Sequence, residues 1–108
     1  MEIIEGFIRN GFECKYLDFK EKQYSKEQHV DLIANIVAMA NSRHEGDNFI
    51  IIGVKDRPDG KEIKGITNEE FVDSSNYPQV ILSNIEPDIP FDYFKYEYEG
   101  TLLGVFRI

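Results

Sequence analysis

Two groups of cations stand out among the side chains able to do chemistry. Lys15, Lys20, Lys22 and Lys26 gather in one stretch, and Lys55, Arg57, Lys61 and Lys64 in another. Cations at that density could neutralise a phosphate backbone, although lysine and glutamate interleave in both stretches as they do on any solvated surface. The single thiol, Cys14, has no partner for an internal disulfide, which suits a reducing cytoplasm. Beside an apolar strand, its ordinary role is that of a small packing residue. His44, between Arg43 and Glu45 in a polar loop, could exchange a proton near neutral pH. It has no second histidine nearby, so an exposed loop residue is the simpler reading, and His29 falls at the start of a helix. The C-terminal tyrosines could stack on bases, whereas alternating aromatics in a strand usually pack a sheet. A Gly-x-x-x-x-Gly-Lys-Ser/Thr phosphate loop is missing, and Gly53, Gly60 and Gly65 fall in strands and a turn. Nucleotide hydrolysis on such a loop is set aside.

These groups need elements to hold them. Phe49–Val54 is a solid apolar run suited to a strand covered on both faces. Arg57-Pro58-Asp59-Gly60 has the residues of a turn, so Phe49–Ile66 reads as a hairpin returning through Lys61–Ile66. Between Gln28 and Asn41, Val30, Ile33, Ala34, Val37 and Ala38 recur at helical spacing, widened by Leu32, Ile36, Met39 and Ala40. That is an amphipathic helix laid on a sheet. Ahead of it, Glu13–Lys20 alternates Leu17 and Phe19 with Tyr16, Asp18 and Lys20, as a half-buried strand does. Further on, Asn68–Phe71 reads as a short capped helical turn and Tyr77–Ile85 as a helix stopped by Pro87 and Pro90. Asp92–Tyr98 and Thr101–Ile108 read as strands reversed at Glu99-Gly100. The expectation is an α+β fold with a mixed, mostly antiparallel sheet of about four to six strands and one main helix packed on one face.

In this order, Glu13, Asp18-Phe19-Lys20, Ala40-Asn41-Ser42, Ile52-Gly53-Val54, Asp56, Gly60 and Gly65-Ile66 resemble the pattern of the Schlafen AlbA-2 domain, over roughly Gly11 to Ile108. The resemblance implies a nucleic-acid-binding module, for RNA or DNA, of a regulatory or defence protein. It equally admits a divalent-metal-dependent endoribonuclease, or an interaction and dimerisation domain without chemistry. In the nucleases of the family, acidic residues at the first Glu, at the acidic-Phe-Lys triplet and after the helix hold the metal. Carried over, these are Glu13, Asp18 and either Glu45 or Asp47, with Glu45 taken as the third catalytic and metal ligand. Oxygen ligands suit Mg²⁺ or Mn²⁺. Spacing alone does not assemble that site: residues five apart point to opposite faces of a strand, so Glu13 and Asp18 converge only if the chain bends between them.

Composition bounds the rest. At 108 residues the chain suits one domain spanning residues 1–108, with a hydrophobic share of 42% that is ordinary for a globular protein. No apolar run is long enough to cross a bilayer, and Met1-Glu2-Ile3-Ile4-Glu5 lacks the basic start of a signal peptide. The net charge of −8 argues against a nucleic-acid binder until its distribution is considered. Residues 1–64 carry ten Lys/Arg against twelve Asp/Glu, and residues 65–108 two against eight. A phosphate backbone would therefore meet the face expected to carry Lys15, Lys20, Lys55 and Arg57. A last strand rich in Leu102, Leu103, Val105 and Phe106 suggests an edge covered by a second copy or by further chain, hence a homo-oligomer or part of a longer protein.

Overall fold

All four side chains of β2 (Phe49–Ile52) are buried, and this decides the architecture. A strand apolar on both faces has to lie inside a sheet with a cover on each side. β2 runs parallel to β1 (Leu17–Lys20) and antiparallel to β6 (Thr101–Arg107), and β6 pairs with β5 (Asp92–Tyr98), giving the order β1-β2-β6-β5. This computed structural model describes residues 2–11, 13–14, 16–24, 26–41, 46–73 and 91–108. The predicted helix over Tyr77–Ile85 lies outside them.

Each face of the sheet has its own helix. On one, Leu32, Ile36 and Met39 of α2 (His29–Ala40) pack with Ile50, Ile52 and Phe106. On the other, Ile4 and Ile8 of α1 (Glu2–Asn10) join Leu17, Phe19, Phe49, Ile51, Leu103 and Val105. Burial of each large side chain contributes roughly 1.5–3 kcal/mol. The fold is α+β with a mixed, mostly antiparallel sheet, and its main helix lies where the periodicity put it.

Several details differ from the sequence reading. The helix α1 was not anticipated. The buried stripe of α2 is Leu32, Ile36 and Met39, with Ile33 and Val37 half-buried, whereas Val30 is 76% exposed and Ala34, Ala38 and Ala40 face solvent. Large aliphatic groups gain most from burial, and they set the helix rotation. The expected Phe49–Ile66 hairpin is split at Gly53. Its apolar half is β2 inside the main sheet, and only β3 (Val54–Arg57) and β4 (Gly60–Ile63) form the hairpin, closed by Pro58-Asp59. Gly53 has φ of +103°, a conformation that turns the chain out of the sheet and that side chains resist. Asn68-Glu69-Glu70-Phe71 opens α3 (Asn68–Asp73) as expected. The Glu99-Gly100 reversal holds, with both residues at positive φ as a two-residue hairpin loop requires. β6 is an interior strand, not an edge: Leu103, Val105 and Phe106 are covered by the chain's own elements. The stated reason for a second copy therefore falls away.

Candidate functional site

Asp18 and Lys20 alternate with the buried Leu17 and Phe19 along β1, and so face the side of the sheet on which α2 lies. Because β1 is an edge strand, these polar side chains sit beside the helix in an open cleft rather than under it. The Lys20 ammonium pairs with Asp18 Oδ2 at 3.2 Å.

The expected long strand Glu13–Lys20 is in fact a tight turn followed by a short strand. Cys14 and Leu17 exchange backbone hydrogen bonds, Cys14 N–H to the Leu17 carbonyl at 2.9 Å and Leu17 N–H to the Cys14 carbonyl at 3.3 Å. That is the bend on which convergence of Glu13 and Asp18 depends, and in antiparallel register the two stand opposite each other. Their carboxyl groups are hydrogen-bonded. Partial withdrawal from solvent, that bond and the negative charge of Asp18 push the Glu13 carboxyl up to about 7, with Asp56 adding to the rise and Lys20 opposing it. Glu13 is thus poised to hold or release a proton near neutral pH.

Asp56 was not selected from the sequence, although it stood in the Ile-Gly-Val-x-Asp stretch. Only its charge is felt at Glu13, and the β3–β4 hairpin lays it on one face with Val54, Lys61 and Ile63. On that face Val54 is buried in the α1-side core, Ile63 packs against it, and the Lys61 ammonium lies over the Phe19 ring and donates to the Gly11 carbonyl. Asp47 is exposed and lies near Arg107, whose guanidinium is held up first by its hydrogen bond to Asp92 and only last by the charge of Asp47, and Asp47 is not among the groups that shift Glu13. Glu45 and Lys15 lie outside the described residues, as do Ser42, Arg43 and His44.

Among the described residues of the expected basic face, only Lys20 is placed at the carboxylates. Lys55 and Arg57 occupy the opposite face of the hairpin from Asp56. There Arg57 pairs with Glu62 at 3.0 Å, and Lys64 pairs with the same carboxylate at 2.5 Å. The Lys64 hydrogen bond comes first among the causes that hold Glu62 below the usual carboxylate range. Cys14 is exposed, and its side chain hydrogen-bonds Tyr16, so the packing role expected of it is not the observed one. The tyrosine reading favours packing: Tyr93 stacks between Phe71 and Phe106, at centroid distances of 5.0 and 4.2 Å.

The donors at Glu13 and Asp18 are all oxygen, which fits a hard cation. Mg²⁺ is commonly held by one or two carboxylates, with waters or phosphates completing its shell. Among the described residues no three His, Cys, Asp or Glu side chains come close enough to form a ligand set. Asp56 therefore contributes charge rather than a third ligand. Among these residues no helix is long and apolar enough to cross a membrane.

No curated protein and no solved structure matches the chain significantly. The profile of the Schlafen, AlbA_2 family does match, over residues 13–108, which contain the Glu13–Asp18 turn, β1, α2, the hairpin and the whole four-stranded sheet. This chain belongs to the Schlafen AlbA_2 family.

Proposed function

We propose that this domain binds the phosphate backbone of RNA or DNA along the cleft between β1 and α2, with Glu13 and Asp18 as a carboxylate pair for Mg²⁺ or Mn²⁺. One observation carries this reading: the Cys14–Leu17 turn sets two carboxyl groups against each other beside Lys20, on the open edge of the sheet. Family membership supports a nucleic-acid-related role. Lys20 supplies a cation for a phosphate oxygen. Glu13, whose carboxyl is pushed up to about 7, can accept a proton from water or a hydroxyl. A divalent ion bound there would neutralise phosphate charge and acidify water. Metal-dependent cleavage is the second reading, favoured by the raised Glu13 carboxyl.

Mobility-shift assays with RNA and DNA at two salt concentrations, beside a Mn²⁺ cleavage assay, test both. Lys20→Glu should weaken binding and flatten its salt dependence. Glu13→Ala and Asp18→Ala should abolish cleavage while leaving binding largely intact. A wild-type domain that neither shifts nor cuts nucleic acid at low salt would refute the proposal and leave an interaction domain.

A further inference from the structure

Two clefts adjoin on the α2 side of β1. The first, about 450 Å³, is lined by Glu13, Cys14, Asp18, Asn35 and Ala38. The second, about 300 Å³, is lined by Lys20, Lys22, Gln28, Asp31, Ala34 and Asn35. Asn35 belongs to both, and the Asp18–Lys20 ion pair bridges their junction. The second cleft has the ingredients for a nucleotide unit. Lys20 and Lys22 suit a phosphate, and Gln28 and Asn35 offer amide donors and acceptors. The small exposed Ala34 leaves room for a flat group to approach the helix. Asn35 is held in place by Tyr24, whose hydroxyl oxygen accepts from Asn35 Nδ2 at 2.8 Å. The neighbouring Asn35 oxygen remains an acceptor. Asp31 is the odd member: an anionic side chain beside a phosphate subsite repels the ligand unless it meets a hydroxyl. A ribose 2′-hydroxyl is such a group, and it is what distinguishes RNA from DNA at a given site.

We propose that the Lys20–Lys22–Asp31–Asn35 cleft is a ribonucleotide subsite, so that a single RNA strand runs along α2 from the Glu13–Asp18 pair past Asn35, with Asp31 reading the ribose. This rests on the nucleic-acid reading above and adds to it the substrate, single-stranded RNA, and the path of the strand.

Fluorescence anisotropy with labelled oligouridylate and oligodeoxyuridylate of equal length, in EDTA, gives the test. The wild type should bind RNA about fivefold or more tighter than DNA. Ala34→Phe, which fills the cleft from an exposed helical position, should weaken RNA binding about tenfold. Ala40→Phe, exposed on the same helix but outside the cleft, should leave it within about twofold. Asp31→Ala should bring the RNA-to-DNA ratio to about one, whereas an Asp31 that serves only the helix terminus would change the melting temperature and leave that ratio alone. If the wild type binds and Ala34→Phe and Asp31→Ala leave affinity and ratio unmoved, the subsite is refuted while the nucleic-acid reading stands. If the wild type binds no RNA or DNA, both fall.

Discussion

Gly53 is the joint between the main sheet and the hairpin that carries Asp56, and replacing it by alanine tests how the site is positioned. Its φ of +103° is a conformation that costs a side-chain-bearing residue about 1–2 kcal/mol. Space adds a second cost. A Cβ at Gly53 would lie 2.9 Å from Leu103 Cδ2 and 3.2 Å from the Gly65 Cα, and Leu103 is fully buried. Relieving that contact means moving a core side chain, a change of about 1–3 kcal/mol. The backbone cannot drift to compensate, because Gly53 N–H donates to the Lys20 carbonyl at 2.7 Å and its own carbonyl accepts from Lys64 and Gly65, both at 2.8 Å. Gly53→Ala should therefore destabilise the domain by about 2–5 kcal/mol. Gly100 provides the comparison: φ is +80°, but nothing lies within 4 Å of a Cβ there. Gly100→Ala should cost only the conformational part, about 1 kcal/mol. Urea unfolding with an unchanged slope would read both as shifts in midpoint. Equal losses for the two variants would refute the account of Gly53 as a sterically locked joint.

Three further expectations follow from the packing and the charges. Leu32→Ala and Ile36→Ala should each cost about 2–5 kcal/mol, while Val30→Ala, on the same helix but 76% exposed, should stay within about 0.5 kcal/mol; similar losses for all three in urea unfolding would show that the helix is rotated wrongly. The Glu13 carboxyl stands at about 7 in the fold against an ordinary 4.5, so the fold holds its proton more tightly. The stability this contributes is complete below 4.5 and is lost as the pH rises through 7. Since the side chain is largely open to solvent, the loss should be about 1 kcal/mol or less. A melting temperature measured across that window should slope downward and flatten in Asp18→Asn; an unchanged slope in the variant would mean the two carboxyls do not interact. Tyr24→Phe should cost about 0.5–1.5 kcal/mol by removing the bond to Asn35, and thermal unfolding of the single variant checks this.

What was legible in the chain followed from strong periodicity or obligatory backbone conformation. The run Phe49-Ile50-Ile51-Ile52 announced a doubly covered strand, and Glu99-Gly100 announced a reversal. The helix over 28–41 was equally plain in outline, yet its buried stripe was misjudged, because nearly every position in Val30–Ala40 is apolar and periodicity alone cannot say which arc faces inward. The continuous strand expected across Glu13–Lys20 does not form, for a different reason. Nothing in Cys14-Lys15-Tyr16-Leu17 has the glycine, proline or asparagine of a tight turn. Its fold is imposed from outside: the Phe49 N–H bonds the Tyr16 carbonyl at 2.9 Å, and Phe7 packs on Phe49 and Tyr16. The same tertiary constraint hid the role of Asp56, whose approach to Glu13 depends on the hairpin leaving the sheet at Gly53.

The direction of α2 ties these features together. β1 and β2 are parallel, so the helix that joins them must run back antiparallel to both. Its C-terminal half, at Ala38 and Met39, therefore lines the cleft with Glu13 and Asp18, while Gln28, just ahead of the helix, and Asp31 in its first turn line the cleft with Lys20 and Lys22. The backbone dipole is negative at the C-terminal end and positive at the N-terminal end. Two carboxylates beside the negative end are disfavoured unless a cation lies with them. At the other end the dipole and the lysines act in the same sense, toward an anion. The proposed groove, with a cation at one end and a phosphate at the other, would thus follow from one strand-helix-strand connection in which the first strand is left at the edge.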